Sequence, residues 1–319
     1  MHPNLRGALL SLAAFGAYAT HDVVVKLLGE TYTSFQIMFF SGLMGFPLVT
    51  MMLMGDRKDG TLIPRHPWWS ILRSISAVAT GVMGFFAFSQ LPLATCYAIF
   101  FAMPLLITLL AIPMLGERVG IRRGIAVVVG LFGVLIVLRP GAGDDFSIGH
   151  LAAIGAAVTG AMTSVIVRKI GGEERSVVLM LYPMVLTFFA MGAVMPFVYV
   201  SMPVDHLGLT AVMAFLGMLG ALGIIAAYRA APAVIVAPMQ YSQILWAALY
   251  GWLFFEETVD LYTGLGSAVI IASGIYIVLR EGTPLVSQNR PVLESRSRLD
   301  TGTQPRISSW LRRWGGDQA

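Results

Sequence analysis

The chain has little charge for its length. Only 12% of its 319 residues are charged, while 57% are hydrophobic and the mean hydropathy is +0.77. A soluble domain typically has about 25% charged residues. So few charged side chains cannot form the polar surface of a water-soluble protein of this size. The high hydrophobicity also excludes disorder along most of the chain. The composition therefore predicts an integral membrane protein.

Several chemistries lack the residues that they need. The single cysteine, Cys96, excludes an intramolecular disulfide and a multi-cysteine metal site. The three lysines, Lys26, Lys58 and Lys169, belong to no GxxxxGK[ST] phosphate-binding loop, and the sequence contains neither HExxH nor GxSxG. We therefore expect no cofactor, no metal and no enzyme activity. An intramembrane enzyme that uses Asp22 and His21 is a remote alternative.

Apolar segments of about 20 residues, enough for a helix to cross a hydrocarbon core about 30 Å thick, recur ten times. They lie near residues 5–28, 34–54, 69–90, 94–115, 121–138, 149–170, 177–199, 208–228, 234–255 and 260–280. The sequence thus predicts an all-α integral membrane protein with ten transmembrane helices. A polar tail, 283–319, follows, and we expect it to be either flexible or anchored by a short amphipathic helix near its end.

The basic residues predict the orientation in the membrane. With the N-terminus in the cytoplasm, the cytoplasmic segments hold 18 of the 21 basic residues, and the outer loops hold only Arg139. Cytoplasmic loops of membrane proteins are enriched in Lys and Arg. Both termini are therefore predicted to be cytoplasmic, and this distribution explains the net charge of +4 without a nucleic-acid partner.

The two halves of the chain are related by an internal duplication. Glu117 and Glu257 are 140 residues apart, as are Gly124 and Gly264, and DVVVKLLG from Asp22 aligns with SVIVRKIG at a spacing of 142. These spacings place five helices in each half, 1–141 and 142–282. An odd number of spans inverts the second copy relative to the first, and inverted repeats are typical of secondary transporters.

The segments DVVVKLLGETYTSFQ (22–36), MPLLITLLAIPMLGERVGIRR (103–123), GLFGVLIVLRPG (130–141) and AAYRAAPAVIVAPMQYSQILWAALYGWLFFEE (226–257) occur in a recognisable order. In this order, together with LRSISAVATGVMGFFAFSQLPLA (72–94), the sequence resembles the EamA-type branch of the drug/metabolite transporter superfamily. The resemblance covers residues 5–282. It implies ten helices, alternating access and transport of small organic solutes.

Ionisable residues inside a membrane helix are costly and are therefore functional candidates. The first helix holds His21, Asp22 and Lys26, and Tyr18 lies one turn before Asp22. Asp22 and Lys26 are four residues apart and share a helix face. They form either a polar wall of a transport cavity, with Asp22 or His21 exchanging a proton, or a structural arrangement in which Lys26 extends to the interface. Arg73 faces either an anionic solute group or the lipid phosphates.

The ninth helix has the richest pattern, because Gln240, Gln243, Trp246 and Tyr250 fall on one stripe. Amides and flat aromatic rings suit an amphipathic organic solute, although the stripe could equally serve helix packing.

Pro232 and Pro238 bracket the start of this helix, and the resemblance implies that the helix begins in two separate parts. Tyr97 and Tyr228 are further candidates for the cavity wall, and Glu117, Glu257 and Pro238 are candidates for gates or hinges.

The function predicted from these features is secondary transport of a small organic metabolite, such as an amino acid or related solute, across the bacterial inner membrane. An uptake carrier or exchanger for a cofactor-like solute such as S-adenosylmethionine or riboflavin, or for a carboxylate, is the alternative. The expected partners are the solute and the lipid bilayer, with the protein as a monomer or homodimer. The direction of transport and the coupling ion stay open.

Overall fold

The structure, a computed structural model, describes residues 3–54, 63–116, 120–139, 146–171, 173–174, 176–231 and 233–281. Within these ranges the secondary structure is helical, with no strand. The helices are α1 (Pro3–Gly29), α2 (Ser34–Met54), α3 (Pro67–Gln90), α4 (Leu93–Phe100), α5 (Met103–Leu115), α6 (Ile121–Leu138), α7 (Ile148–Ile170), α8 (Ser176–Val198), α9 (Val204–Ala230), α10 (Ala233–Val236), a 3₁₀ helix (Ala237–Tyr241), α11 (Ser242–Phe255) and α12 (Leu261–Glu281). The predicted tail, 283–319, lies outside the described residues.

Each of the ten predicted segments coincides with one helix, except that the fourth and ninth are divided. The fourth divides into α4 and α5 at Phe101, and the ninth passes from α10 through the 3₁₀ helix into α11. Pro104 and Pro238 lie just after these changes of geometry, and proline has no N–H to donate to the preceding turn. The divided ninth segment was expected. The fourth segment is still one apolar span, Leu93–Leu115, but its division at Phe101 was not predicted from the sequence.

The helices have the length and surface of a protein that crosses a membrane several times. Six are long and apolar enough to span a bilayer, namely Leu5–Gly29, Pro67–Gln90, Leu93–Leu115, Ile148–Ile170, Leu181–Val198 and Val204–Tyr228, and Gly124–Leu138 and Leu261–Ile277 are shorter apolar helices. Large apolar side chains such as Phe132 and Leu265 are exposed on the outer helices. Because lipid can cover such a surface and water cannot, the chain is a multi-pass integral membrane protein.

The packing of the first half is largely repeated in the second. Spacings of 140 to 142 residues relate α1 to α7, α2 to α8, α3 to α9, α4 to α10 with the 3₁₀ helix, α5 to α11 and α6 to α12. Accordingly, α1 packs on α9 as α7 packs on α3, α2 packs on α9 as α8 packs on α3, and α1 packs on α11 as α7 packs on α5. Two further pairs, α2–α8 and α6–α12, each join a helix to its own counterpart.

The two largest departures from this symmetry lie at one end of the bundle. Helix α1 packs against α3, and α4 packs against α11, but in the described part of the chain α7 and α9 share no comparable interface, and neither do α5 and α10. Both unmatched interfaces lie where α1 and α3 end, α4 begins and α11 ends. We call this the Lys26 end of the bundle. At the opposite end, where α7 and α9 end, the corresponding helices form no interface of that size in the described residues.

The short helix α4 lies at the centre of the molecule, and all eight of its residues are buried. Tyr97 and Phe100 pack against Phe88 of α3, with ring centroids 5.8 Å and 5.4 Å away, and Phe101 follows at the break. Burial on every face explains why this segment is apolar all round. It also places the Tyr97 hydroxyl deep among helices from both halves.

Candidate functional site

The carboxylate of Asp22 lies deep in the bundle and is bound on both oxygens. Asp22 is only 2% exposed, and the Tyr97 hydroxyl donates a hydrogen bond to its Oδ2. The His21 Nδ1 lies 2.7 Å from Oδ1, and the His21 ring packs edge-on against Phe85 of α3. An ionised carboxylate only accepts hydrogen bonds, so both neighbours donate when Asp22 is charged. Three ionisable or hydroxyl groups thus share one buried position.

Lys26, one turn further along α1, forms an ion pair with the second half of the chain. Its Nζ lies 2.7 Å from Glu257 Oε1 and donates to the Leu91 carbonyl oxygen at 2.6 Å. The other oxygen of Glu257 accepts the backbone N–H of Leu93 at 3.1 Å. This arrangement connects the ends of α1, α3 and α11 with the start of α4. We call His21, Asp22, Lys26, Tyr97 and Glu257 the α1 cluster.

The polar stripe predicted on the ninth segment contacts another face of α1. Trp246 lies 3.3 Å from the position that a Cβ on Gly16 would take, and the Tyr250 hydroxyl lies 3.1 Å from Thr20 Oγ1. Positions 20 and 22 point roughly 200° apart around an α-helix, since each residue turns it by about 100°. The structure therefore separates Trp246 and Tyr250 from Asp22, although all of them lie against α1.

The remaining candidates lie at several places. Tyr18 is buried against Gly220 of α9, in an apolar group that includes Tyr228. Arg73 is buried in α3 and donates through Nη1 to the carbonyl of Leu179 in α8, away from the α1 cluster. Gln243 is buried in α11, whereas Gln240 and Pro238 are half-buried in the 3₁₀ helix.

Two further candidates, Glu117 and Pro232, lie outside the described residues.

A contact that the sequence reasoning missed joins the two helix breaks. The rings of Phe101 and Tyr241 meet edge to face with centroids 5.0 Å apart. These residues are 140 positions apart, which is the spacing of the duplication, so each contacts its own counterpart. A pair of this kind lies on the axis that relates the two halves. The repeat spacing of 140 residues could have predicted this contact. The backbone groups of Leu91 and Leu93, which also bind the α1 cluster, left no signal in the sequence.

Comparison with known proteins agrees with this architecture. The chain is 26% identical over 277 residues to an S-adenosylmethionine uptake transporter of Rickettsia bellii, covering 86% of this chain and 92% of the relative. It is 25% identical over 271 residues to a pseudopaline exporter of Pseudomonas aeruginosa, covering 84% and 94%. It is 27% identical over 289 residues to a riboflavin transporter of Vibrio cholerae, covering 86% and 94%.

A solved crystal structure supports the fold alone. It superposes with a TM-score of 0.59 at 18% identity, covering 88% of this chain and 99% of the other. The profile of one family, described as the EamA-like transporter family, matches twice, over residues 5–139 and 147–280. The two matches leave few of the helical residues uncovered, and the relatives named above are transporters of small solutes. The chain therefore belongs to the EamA-like transporter family.

Proposed function

We propose that the protein is a secondary active transporter that moves a small organic metabolite, an amino acid or related solute, across the bacterial inner membrane by alternating access. In this proposal ten spans form two inverted five-helix repeats, residues 1–141 and 142–282, and both termini lie in the cytoplasm. The observation that carries the proposal is the packing: the main interfaces of one half are repeated in the other, and the two largest interfaces without a counterpart both lie at the Lys26 end.

This pattern is what alternating access requires. If two inverted halves can exchange their arrangements, the molecule has two states of comparable energy, each open at a different end. In this proposal the contacts α1–α3 and α4–α11 close the Lys26 end, and the opposite end is the open one, because α7–α9 and α5–α10 form no interface of comparable size in the described residues. With the N-terminus in the cytoplasm, the Lys26 end faces outward. The structure then corresponds to the state open to the cytoplasm.

The α1 cluster supports a solute or proton site at Asp22. An ionised carboxylate inside a membrane protein is costly unless its environment compensates, and such groups mark ion and substrate pathways. His21 and Tyr97 supply hydrogen bonds to it. Proton coupling through Asp22 follows as part of the proposal. The relatives' solutes favour a second candidate, a cofactor-like molecule such as S-adenosylmethionine or riboflavin.

The test is solute flux into proteoliposomes that hold the purified protein. Labelled amino acids, S-adenosylmethionine, riboflavin and small carboxylates would be screened with and without an imposed pH gradient, beside Asp22→Asn. Saturable flux that responds to the gradient and is lost in Asp22→Asn would identify the solute and the coupling. Flux that changes neither with the pH gradient nor in Asp22→Asn would instead indicate an exchanger or uniporter. Enzymatic conversion of a solute without flux would contradict the proposal.

A further inference from the structure

The ion pair of Lys26 and Glu257 is the centre of a network that joins four helices. Lys26 lies near the end of α1, Leu91 follows α3, Leu93 begins α4, and Glu257 follows α11. One ammonium and one carboxylate together bind a backbone carbonyl and a backbone N–H, at 2.6 Å and 3.1 Å. All four helices belong to the two interfaces, α1–α3 and α4–α11, for which the described residues of the opposite end show no counterpart of comparable size.

The network is shielded from solvent. The Lys26 and Glu257 side chains are 10% and 19% exposed, and the Lys26 ammonium lies 5.2 Å from the centre of the Phe255 ring. Removing one partner of a buried ion pair leaves an uncompensated charge, which is strongly destabilising. The pair therefore separates only if water enters between the helices. Separation of the ion pair and opening of the Lys26 end are thus one event.

The duplication argues that the α1–α3 contact at this ion pair is made and broken rather than permanent, because its counterpart α7–α9 has no comparable interface in the described residues. The counterparts of Lys26 and Leu91 are Arg168, at a spacing of 142, and Ala231, at a spacing of 140. They lie on α7 and after α9, two helices without a comparable interface in the described residues. Another ion pair at the Lys26 end, Arg139–Asp260, joins α6 to α12, and that interface is its own counterpart. An interface that is its own counterpart is the same in both states, so we expect α6 and α12 to stay in contact.

We propose that Lys26 and Glu257, held by the Leu91 carbonyl and the Leu93 N–H, form a latch that closes the Lys26 end during transport. The inference rests on the proposed function and deepens it, because Lys26 then acts in gating rather than in the solute-binding wall. The latch engages in the state that the structure represents and is released when the Lys26 end opens. Its loss shifts the population of the protein toward the state that is open at this end.

The chain contains its own reporter for this opening. Cys96, the only cysteine, is fully buried in α4 and lies one turn after Leu93. A polar thiol reagent can reach Cys96 only if water enters past the latch or from the opposite end. Vesicles of the two orientations distinguish these routes.

The experiment measures the labelling rate of Cys96 by a membrane-impermeant methanethiosulfonate in right-side-out and inside-out vesicles. In Glu257→Gln we expect labelling to rise at least tenfold, and only from the face that holds the Lys26 end. The matched control, Arg139→Gln, removes an ion pair at the same end and should leave the rate unchanged. The double reversal Lys26→Glu with Glu257→Lys should restore slow labelling only in part, since it re-forms the ion pair but places a carboxylate against the Leu91 carbonyl and an ammonium against the Leu93 N–H.

Unchanged labelling in folded Glu257→Gln would overturn the latch, and so would equal acceleration from both faces or in Arg139→Gln. If Glu257→Gln does not fold, Glu257→Asp shortens the same side chain and should give a smaller acceleration from the same face. Flux measured in the same vesicles separates the two proposals. Sided labelling without flux of any solute supports the latch and counts against transport, whereas flux with unchanged labelling supports transport and removes the latch.

Discussion

Two equivalent helix interfaces of this protein differ in their chemistry. Where α11 meets α1, Trp246 covers Gly16 and Tyr250 reaches the Thr20 hydroxyl. Where α5 meets α7, the counterparts of these two aromatic residues are Leu106 and Leu110, which belong to an aliphatic cluster with Met103, Ile107, Ala161 and Val165. The backbone frame is repeated, but the polar and aromatic side chains are concentrated on one side of it.

The same contrast holds for the first helix of each half. At a spacing of 142, His21 and Asp22 have Thr163 and Ser164 as counterparts. Ser164 is fully buried and donates to the Gly160 carbonyl of its own helix at 2.8 Å, as hydroxyls in membrane helices commonly do. In the proposed mechanism the symmetry therefore supplies the two states, and we place the solute or proton site mainly on the α1 side. The predictions below test this division with matched changes in the two halves.

The largest effect is expected from Asp22→Asn. The amide keeps the shape of the side chain but removes its charge, and hydrogen bonds to charged groups are worth about 1.5–3 kcal/mol each. Transport in proteoliposomes should therefore fall at least tenfold. Ser164→Ala, the matched change in α7, should retain flux within about twofold. If both variants lost flux equally, the site would be shared between the halves and the contrast between α1 and α7 would be wrong.

Much of this organisation is predictable from sequence because lipid imposes regular constraints. A span needs about 20 apolar residues, so the segments are predictable, and the helices found here end within a few residues of them. The pair Glu117 and Glu257 and the aligned segments DVVVKLLG and SVIVRKIG predicted the duplication. Side-chain partners across the bundle are not periodic. Nothing in the spacing of residues places Glu257 beside Lys26, or turns Trp246 toward Gly16 rather than toward Asp22.

The second effect concerns the close contact of α1 with α11. Gly16→Val places a branched side chain where the Trp246 ring lies 3.3 Å from a Cβ. Overpacking of this kind typically costs about 1–3 kcal/mol. We expect a lower midpoint of thermal unfolding in detergent. Val158, the counterpart in α7, is exposed, so Val158→Leu should leave the midpoint unchanged. A stable Gly16→Val variant would show that α11 can move away from α1 freely.

A smaller effect is expected from Tyr97→Phe, which removes one donor to Asp22 and leaves the ring packing in place. Flux should fall about fivefold, which corresponds to about 1 kcal/mol. The matched change is Tyr32→Phe, because the Tyr32 hydroxyl lies 2.6 Å from His206 Nδ1, outside the α1 cluster. Flux in Tyr32→Phe should match that of the parent. A reversed order of the two variants would place the sensitive hydroxyl elsewhere than at Asp22.

The smallest effect compares two hydroxyl pairs, one on each side. Thr20 bonds Tyr250 between α1 and α11 at 3.1 Å, and Thr80 donates to Thr159 between α3 and α7 at 2.8 Å. Thr20→Val and Thr80→Val keep the shape of the side chain and each remove one such bond, at a cost of about 1 kcal/mol in the free energy of unfolding. Similar losses of stability are therefore expected. Flux should change by about twofold in Thr20→Val alone, because only that bond joins the two helices that carry the polar and aromatic residues. An equal change of flux in both variants would mean that transport responds to stability in general. It would contradict the view that the α1–α11 interface matters more for transport than the α3–α7 interface.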